Sequence, residues 1–302
     1  MLIVTTRCNY RCKYCGMWKF RPAKDMSMEV LDKTIPKMKE FGIRFVGLTG
    51  GEPTLHPRLP DIIKKLKDNG FVVGVTTNGR AYDYNKLKDV DQIQISLDSA
   101  RPEKMDEWRG AKGAWALAVD AVERSKVAGI KSILANVLIT EENVGELDEL
   151  FDFVSNKLGI KIGACDPNFG RNDSFAYDST KELRPEFHVF WDRIIDSYDK
   201  YAFADPKDLF MEIKRFWKGE KRTFPCLGGF VTFNISVDGE FYPCFSRNDI
   251  VEKPTYGECT KCTVGCFLPP SMVYYQLRHS PLRGIRNVLW YGALWLGERL
   301  SV

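Results

Sequence analysis

Histidine is scarce: the 302 residues hold three, His56, His188 and His279, each isolated from the others, and no role is assigned to any of them. Long apolar runs are lacking as well. No window reaches the 18 or so consecutive apolar residues of a membrane-spanning helix, and the longest candidate, residues 288–297, is about half that length. Charge of one sign is not in excess. The 44 basic and 40 acidic residues leave a net charge of +4, which is no nucleic-acid signature, so no nucleic-acid partner is expected. No secretory signal precedes the first cysteine, and the nine cysteines are an odd number, which argues against a secreted disulfide framework. A reducing cytoplasm is the expected setting. Low-complexity segments are also missing, and no internal repeat stands out beyond the strand-helix rhythm described next.

A hydrophobic share of 44% and a charged share of 28% match a soluble globular protein long enough to bury a sizeable core. In the first half, short β-branched runs alternate with amphipathic stretches, the pattern of repeated βα units on a parallel sheet. Six strands are predicted, over residues 2–6, 43–49, 71–77, 92–98, 132–139 and 160–165. Helices begin near Ser27, Pro57, Tyr82, Gly113, Asn143 and Pro185, with Gly42, Gly70, Gly129 and Gly159 as C-terminal stops. Such units either close part of a barrel or form an open doubly wound sheet, and both place functional loops at the strand C-termini. Polar motifs collect there: Thr49-Gly50-Gly51-Glu52-Pro53, Thr76-Thr77-Asn78-Gly79 and Ser96-Leu97-Asp98-Ser99.

A loop rich in Asn, Asp, Ser and Gly follows Asp166, and residues 168–177 fit either a substrate entrance or any surface loop. Helical stretches run over 185–218, and a boundary falls near residue 220. The predicted organisation is a core over 1–220, a small module over 221–280 and an amphipathic helix over 281–302. Within the module, residues 230–237 and 240–243 flank Asp238-Gly239 and read as a β-hairpin with a type I′ turn.

Eight of the cysteines fall in two groups. Cys8-x3-Cys12-x2-Cys15 sits in the loop after the first strand. Three thiolates so close suit one iron-sulfur cluster or three zinc ligands, and no fourth ligand follows for zinc in the next 40 or so residues. Three ligands on a four-iron cluster leave one iron open. The second group is Cys226 and Cys244, spaced Cys-x12-Gly-x4-Cys around the hairpin, then Cys259-x2-Cys262-x3-Cys266. Taken alone it suits either an iron-sulfur cluster or a zinc-stapled hairpin. Cys165, between the groups, suits either a hydrogen-atom donor at a strand end or plain packing.

The CxxxCxxC spacing, with aromatic Tyr14 before the third cysteine, resembles the radical S-adenosylmethionine (SAM) superfamily over about residues 2–170. The resemblance implies a partial (β/α)6 TIM-like barrel of the α/β class. It also implies a [4Fe-4S] cluster on Cys8, Cys12 and Cys15 whose open iron chelates SAM, and reductive cleavage to a 5′-deoxyadenosyl radical. On the same ground Gly50, Gly51 and Glu52 would receive the SAM amino group, and Ser96, Asp98 and Arg109 its ribose and carboxylate, with Tyr14, Asn78 and Asn136 as further cofactor-binding positions. For Asn78, Arg109 and Asn136 a helix cap or surface polar role stands equally open. The second group resembles the SPASM or twitch auxiliary module, which implies a second [4Fe-4S] cluster on four of Cys226, Cys244, Cys259, Cys262 and Cys266. Expected partners are a reductant such as ferredoxin or flavodoxin and a substrate. Peptide or protein modification or dehydrogenation comes first, then lipid, tetrapyrrole or small-molecule cofactor synthesis, and a non-catalytic iron-sulfur or zinc protein is the reading from another class. Arg283, Arg286 and Arg299, set among the apolar residues of 281–302, fit peripheral membrane contact through residues 283–300 or docking on the barrel or on another subunit.

Overall fold

A computed structural model describes residues 1–80, 83–140, 142–165, 187–244, 249–256 and 268–296. Six parallel strands form its centre: β1 (Leu2–Thr5), β2 (Phe45–Gly50), β3 (Val72–Thr77), β4 (Gln92–Ser96), β5 (Ser132–Leu138) and β6 (Lys161–Cys165). In space they run in the linear order β6-β5-β4-β3-β2-β1. A doubly wound sheet reverses its strand order partway. This one does not, so its order is that of a barrel cut open, and the barrel reading holds.

The helices between strands are α1 (Met28–Glu40), α2 (Leu59–Asp68), α3 (Tyr84–Leu87), α4 (Pro102–Arg109), α5 (Ala114–Val127) and α6 (Leu147–Asp152). Helix α1 starts where Ser27 Oγ accepts the Val30 amide at 3.2 Å, and it buries Leu31, Ile35 and Met38 at helical spacing. Gly42, Gly70, Gly129 and Gly159 all adopt positive φ, the left-handed conformation that glycine reaches without strain, and so stop helices as predicted. Helix α4 was absent from the sequence expectation. Its buried face is only Met105, Trp108 and Arg109, too short a stripe to stand out, although Pro102 at its start and Gly110 at φ 57° bracket it.

Two further strands, β7 (Asn234–Ile235) and β8 (Phe241–Tyr242), pair antiparallel, and β7 pairs parallel with β1 through Leu2 and Ile235. The hairpin therefore extends the barrel sheet. It is shorter than predicted, and its turn is of another type. A type I′ turn needs positive φ at both central residues. Only Gly239 has it, at 84°, while the Gly239 amide donates to Ser236 O at 3.0 Å and the Ser236 amide to Glu240 O at 2.8 Å. This is a three-residue loop closed by a glycine bulge. Phe41 at the end of α1 packs 5.1 Å from both Phe233 and Phe241, which fixes the hairpin to the core.

At the other edge, residues 202–204 run beside β6, with the Ile162 amide donating to Ala202 O and the Ala204 amide to Ile162 O, each at 2.8 Å. Helices α7 (Phe187–Asp196), α8 (Lys207–Trp217), α9 (Leu268–His279) and α10 (Pro281–Leu296) follow. Helix α10 docks here: Trp290 Nε1 donates to Ala204 O at 2.8 Å, Tyr291 Oη to Asp205 at 3.0 Å, and Arg286 pairs with Asp208 at 2.6 Å. Its opposite side leaves Leu282, Ile285, Val288 and Leu289 exposed. Among the described residues no helix is long and apolar enough to cross a membrane.

Candidate active site

Because the strands are parallel and in register, their C-terminal ends share one edge, with Thr5 beside Gly50, Ser96 beside Asn136 and Leu138 beside Cys165. The Cys8–Cys15 loop leaves β1 at that edge, and its neighbour is the Gly50-Gly51-Glu52 segment leaving β2. A Cβ on Gly50, whose φ is 142°, would lie 2.1 Å from Thr5 O, and one on Gly51 would lie 2.0 Å from Arg7 O. Only glycine allows so close an approach. The approach is used: the Gly51 amide donates to Thr5 O at 2.8 Å and the Glu52 amide to Arg7 O at 2.7 Å. The Gly51 and Glu52 amides thus clamp the chain that leads into Cys8.

The Glu52 carboxylate is buried, and protein donors surround it. Oε1 accepts from Thr54 N (3.1 Å), Thr54 Oγ1 (2.6 Å) and Thr77 Oγ1 (2.7 Å), and Oε2 accepts from Asn78 N (2.7 Å). Burial pushes its pKa up and these bonds pull it down, with burial the larger effect. The described contacts make Glu52 a brace between the ends of β2 and β3. Asn78 has a similar task, since its Nδ2 donates at 2.8 Å to Asn9 Oδ1 inside the cysteine loop.

The loop is held on its far side by α4. The Arg11 amide donates to Arg109 O at 3.2 Å and the Lys13 amide to Trp108 O at 3.0 Å, and Gly110 leaves no room for a Cβ against Arg11 O. Trp18 Nε1 donates to Cys12 O at 3.3 Å. Cys8, Cys12 and Cys15 are free thiols, and burial raises the pKa of each, that of Cys8 to about 12; neighbouring cysteines add to the rise at Cys8 and Cys15. Among the described residues no three His, Cys, Asp or Glu side chains converge as they would on a single ion. Around one zinc the sulfurs would lie about 3.8 Å apart. A four-iron cube spreads its thiolates wider, and three clustered thiols on a pinned loop fit that group.

Asp98 and Arg109, both expected to face SAM, pair with each other. Arg109 Nη2 lies 2.5 Å from Asp98 Oδ2, to which Tyr14 Oη also donates at 2.7 Å. Asn143, read from sequence only as a helix start, donates Nδ2 to Asp98 O and Leu138 O. No motif marks it or Asn9; a polar residue just beyond a strand end is the only signal they carry. Ser96 is buried at the end of β4, and Cys165 Sγ lies 3.8 Å from Asn136 Oδ1 and 3.5 Å from Val137 O at the neighbouring strand end.

In the second group, a Cβ on Gly228 would stand 3.7 Å from Cys226 Sγ and 2.6 Å from Pro243 O, so the segments carrying Cys226 and Cys244 lie side by side. Cys259, Cys262 and Cys266 lie outside the described residues, as do residues 168–177 and Arg299.

The radical SAM superfamily model matches residues 2–154, about half of the chain. A probable GTP 3′,8-cyclase of Methanococcus maripaludis is 31% identical over 277 residues, covering 86% of this chain and 90% of the relative. One from Metallosphaera sedula is 28% identical over 271 residues, 85% and 84% of the two chains. One from Sulfolobus acidocaldarius is 35% identical over 161 residues, so the match spans about half of that relative. Among solved structures, Streptococcus suis SuiB bound to S-adenosylmethionine superposes with a TM-score of 0.64 at 14% identity, over 85% of this chain and 62% of that one. Native anSMEcpe with bound AdoMet gives 0.57 at 18%, over 80% and 73%. At these identities the two structures attest the fold alone, while the family model and the near full-length relative attest descent. The chain is a member of the radical SAM superfamily, an enzyme family whose shared cofactors are a [4Fe-4S] cluster and SAM.

Proposed function

We propose that this radical SAM enzyme abstracts hydrogen from a small molecule in a biosynthetic reaction, with a nucleotide such as GTP as the first candidate substrate. The observation that carries this reading is the 31% identity to a probable GTP 3′,8-cyclase over 90% of that relative's length. Peptide or protein modification, placed first from the sequence, gets no support from these relatives. When bound, the cluster and SAM supply the radical that takes the hydrogen. The chain's own residues do the rest. Cys8, Cys12 and Cys15 hold the cluster, and the glycine clamp and the Asn78–Asn9 bond fix the loop that carries them. The ends of β4 to β6, with Ser96, Asn136 and Cys165, face the reacting groups, where Cys165 is a hydrogen-atom donor held by Asn136. A second [4Fe-4S] cluster is held by Cys226 and Cys244, a reading supported by the adjacency of Gly228 and Pro243 beside them, with two of Cys259, Cys262 and Cys266, in a SPASM or twitch-like module over 221–280. An external reductant of the ferredoxin or flavodoxin class supplies the electron.

The substrate test is 5′-deoxyadenosine release by the anoxically reconstituted full chain, with dithionite and SAM, in the presence of GTP or of a peptide mixture. Stimulation by GTP, with a nucleotide product of altered retention, is the expected result. Stimulation by peptide alone overturns the small-molecule reading.

We further propose that the outer side of α10 rests on an anionic membrane surface. Leu282 is 86% exposed and Leu289 61%, and no acidic residue stands between Cys259 and Gly297, whereas Arg278, Arg283 and Arg286 do. Apolar residues flanked by arginines suit an interfacial helix. Cosedimentation with phosphatidylglycerol vesicles, weak with phosphatidylcholine and lost in the Leu282→Glu/Leu289→Glu double variant, is expected. Equal or absent binding to both vesicles contradicts it.

A further inference from the structure

The stretch from Met1 to Lys24 carries Arg7, Arg11, Lys13, Lys19, Arg21 and Lys24 and no acidic residue; the first is Asp25. Three of these cations are neutralised in the fold, Arg7 by Asp25, Lys13 by Glu107 and Lys24 by Asp238. Arg11, Lys19 and Arg21 are exposed and enter no ion pair among the described residues. Between Lys19 and Arg21 stands Phe20, a large apolar side chain that is 41% exposed. One exposed ring means little by itself. Its setting gives it meaning.

The patch belongs to the cysteine loop. Gly16 follows Cys15, and a 3-10 turn over Met17–Lys19 follows Gly16, closed by Lys19 N donating to Gly16 O at 2.9 Å and Phe20 N to Met17 O at 3.2 Å. Met17 is buried, and Trp18 Nε1 reaches back to Cys12 O. The chain is tied down again at Lys24, whose carbonyl accepts the Thr6 amide and whose amide donates to Thr6 Oγ1, each at 2.8 Å. Lys19 Nζ lies 5.5 Å from the Trp18 ring centre, and Arg21 Nη1 donates to Trp18 O at 3.0 Å. The segment beside the three thiols is therefore pinned at both ends, and it turns unpaired cations and one aromatic ring to solvent.

We propose that this face, Arg11, Lys19 and Arg21 around Phe20, is where the electron donor docks, and that the donor is a small acidic electron-carrier protein. The proposal rests on the cluster reading above and adds to it a surface and the chemistry of a partner. Reduction moves one electron from the carrier to the cluster and exchanges no atom, so the carrier has only to approach, deliver and leave. Complementary charge speeds such encounters by roughly 10- to 1,000-fold. Small, weak interfaces suit electron-transfer partners, and an aromatic side chain at the centre supplies the short-range contact.

The test compares two reductants in SAM cleavage by the reconstituted full chain: dithionite, which needs no docking, and reduced flavodoxin as the acidic carrier. Lys19→Glu/Arg21→Glu is expected to raise the flavodoxin concentration for half-maximal 5′-deoxyadenosine release about tenfold and to leave the dithionite rate near wild type. Lys88→Glu/Lys131→Glu reverses the same charge at exposed positions ahead of β4 and β5, the opposite edge of the sheet, and is expected to change neither rate. Calorimetric titration with flavodoxin at low salt should show weaker binding in the first variant only, a difference that about 0.5 M salt erases. A flavodoxin response equal in all three chains, or an equal loss with both reductants, overturns the proposal. Arg21 also bonds the turn, so if the double variant loads less iron, Lys19→Gln carries the comparison: about a threefold rise is expected, and an unmoved response contradicts it. A wild-type chain that releases nothing with dithionite fails at the cluster reading, which is a separate failure.

Discussion

At the scale of single residues, the positions legible in the sequence are those whose side-chain chemistry or lack of a side chain is decisive. The cysteine spacing and the Gly50-Gly51 pair are of this kind. What Glu52, Asp98 and Arg109 touch was not legible, because a carboxylate or guanidinium has many acceptable partners and the nearest one in space wins. Glu52 meets Thr77, 25 residues away, and Asp98 meets Tyr14, 84 away. Gly51→Ala puts a Cβ 2.0 Å from Arg7 O, a backbone atom that cannot give way. It is expected to lower stability by about 2–4 kcal/mol and to reduce iron loading, measured by denaturation and iron analysis. Glu52→Gln replaces one acceptor oxygen by a donor against donors, and a loss of about 2–3 kcal/mol is expected from the same measurement. Asp205, whose carboxyl burial also pushes up, is expected to respond to substitution in the opposite direction. Burial raises its pKa from 3.8 to about 6. The folded chain therefore favours its protonated form, and stability from this group is present at low pH and lost as pH rises through about 6. Asp205→Asn keeps an acceptor for Tyr291 and should gain about 1–2 kcal/mol at pH 7.5, the gain shrinking toward pH 4 in parallel denaturation curves.

At the scale of elements, the six strands and the glycine stops were legible because a short β-branched run and a left-handed stop are local signals. Helix α4 was not, since a helix this short, burying only Met105, Trp108 and Arg109, has no broad apolar stripe, yet its C-terminus carries the residues that hold the cysteine loop. The hairpin was found but its turn misjudged: Asp-Gly permits both turn types, and the position of Gly239 against α1, where an added Cβ would lie 2.7 Å from Thr34 Oγ1, together with the Lys24–Asp238 ion pair, accompanies the bulged form. Helix α10 shows the limit of composition. Its Trp290 and Tyr291 fit a membrane face and a docked face equally, and contacts settle these two on the docked side. Trp290 and Tyr291 meet the first half of β5 and the strip beside β6, away from the strand ends that carry the site. Trp290→Ala is expected to cost about 3 kcal/mol of stability while 5′-deoxyadenosine release per folded chain stays near wild type. A proportional loss of release would place α10 in the catalytic machinery.

At the scale of the whole molecule, the linear strand order brings six strand ends to one edge, and the hairpin continues the same sheet past β1. The cysteine loop is then bounded by the β2 glycines, Asn78 after β3, and α4. Each boundary comes from a different part of the sequence, which is why the loop's support could be read only from the fold. Substrate identity was not legible at this scale either, because one barrel serves many substrates and the residues that choose among them follow no shared spacing. The measurement that bears most directly on the molecule is SAM cleavage by the anoxically reconstituted chain with dithionite, compared with Cys8→Ala, Cys12→Ala and Cys15→Ala. Release of 5′-deoxyadenosine by the wild type and its loss in all three variants is the predicted result. Zinc in place of iron, or release that survives loss of any of the three cysteines, contradicts it.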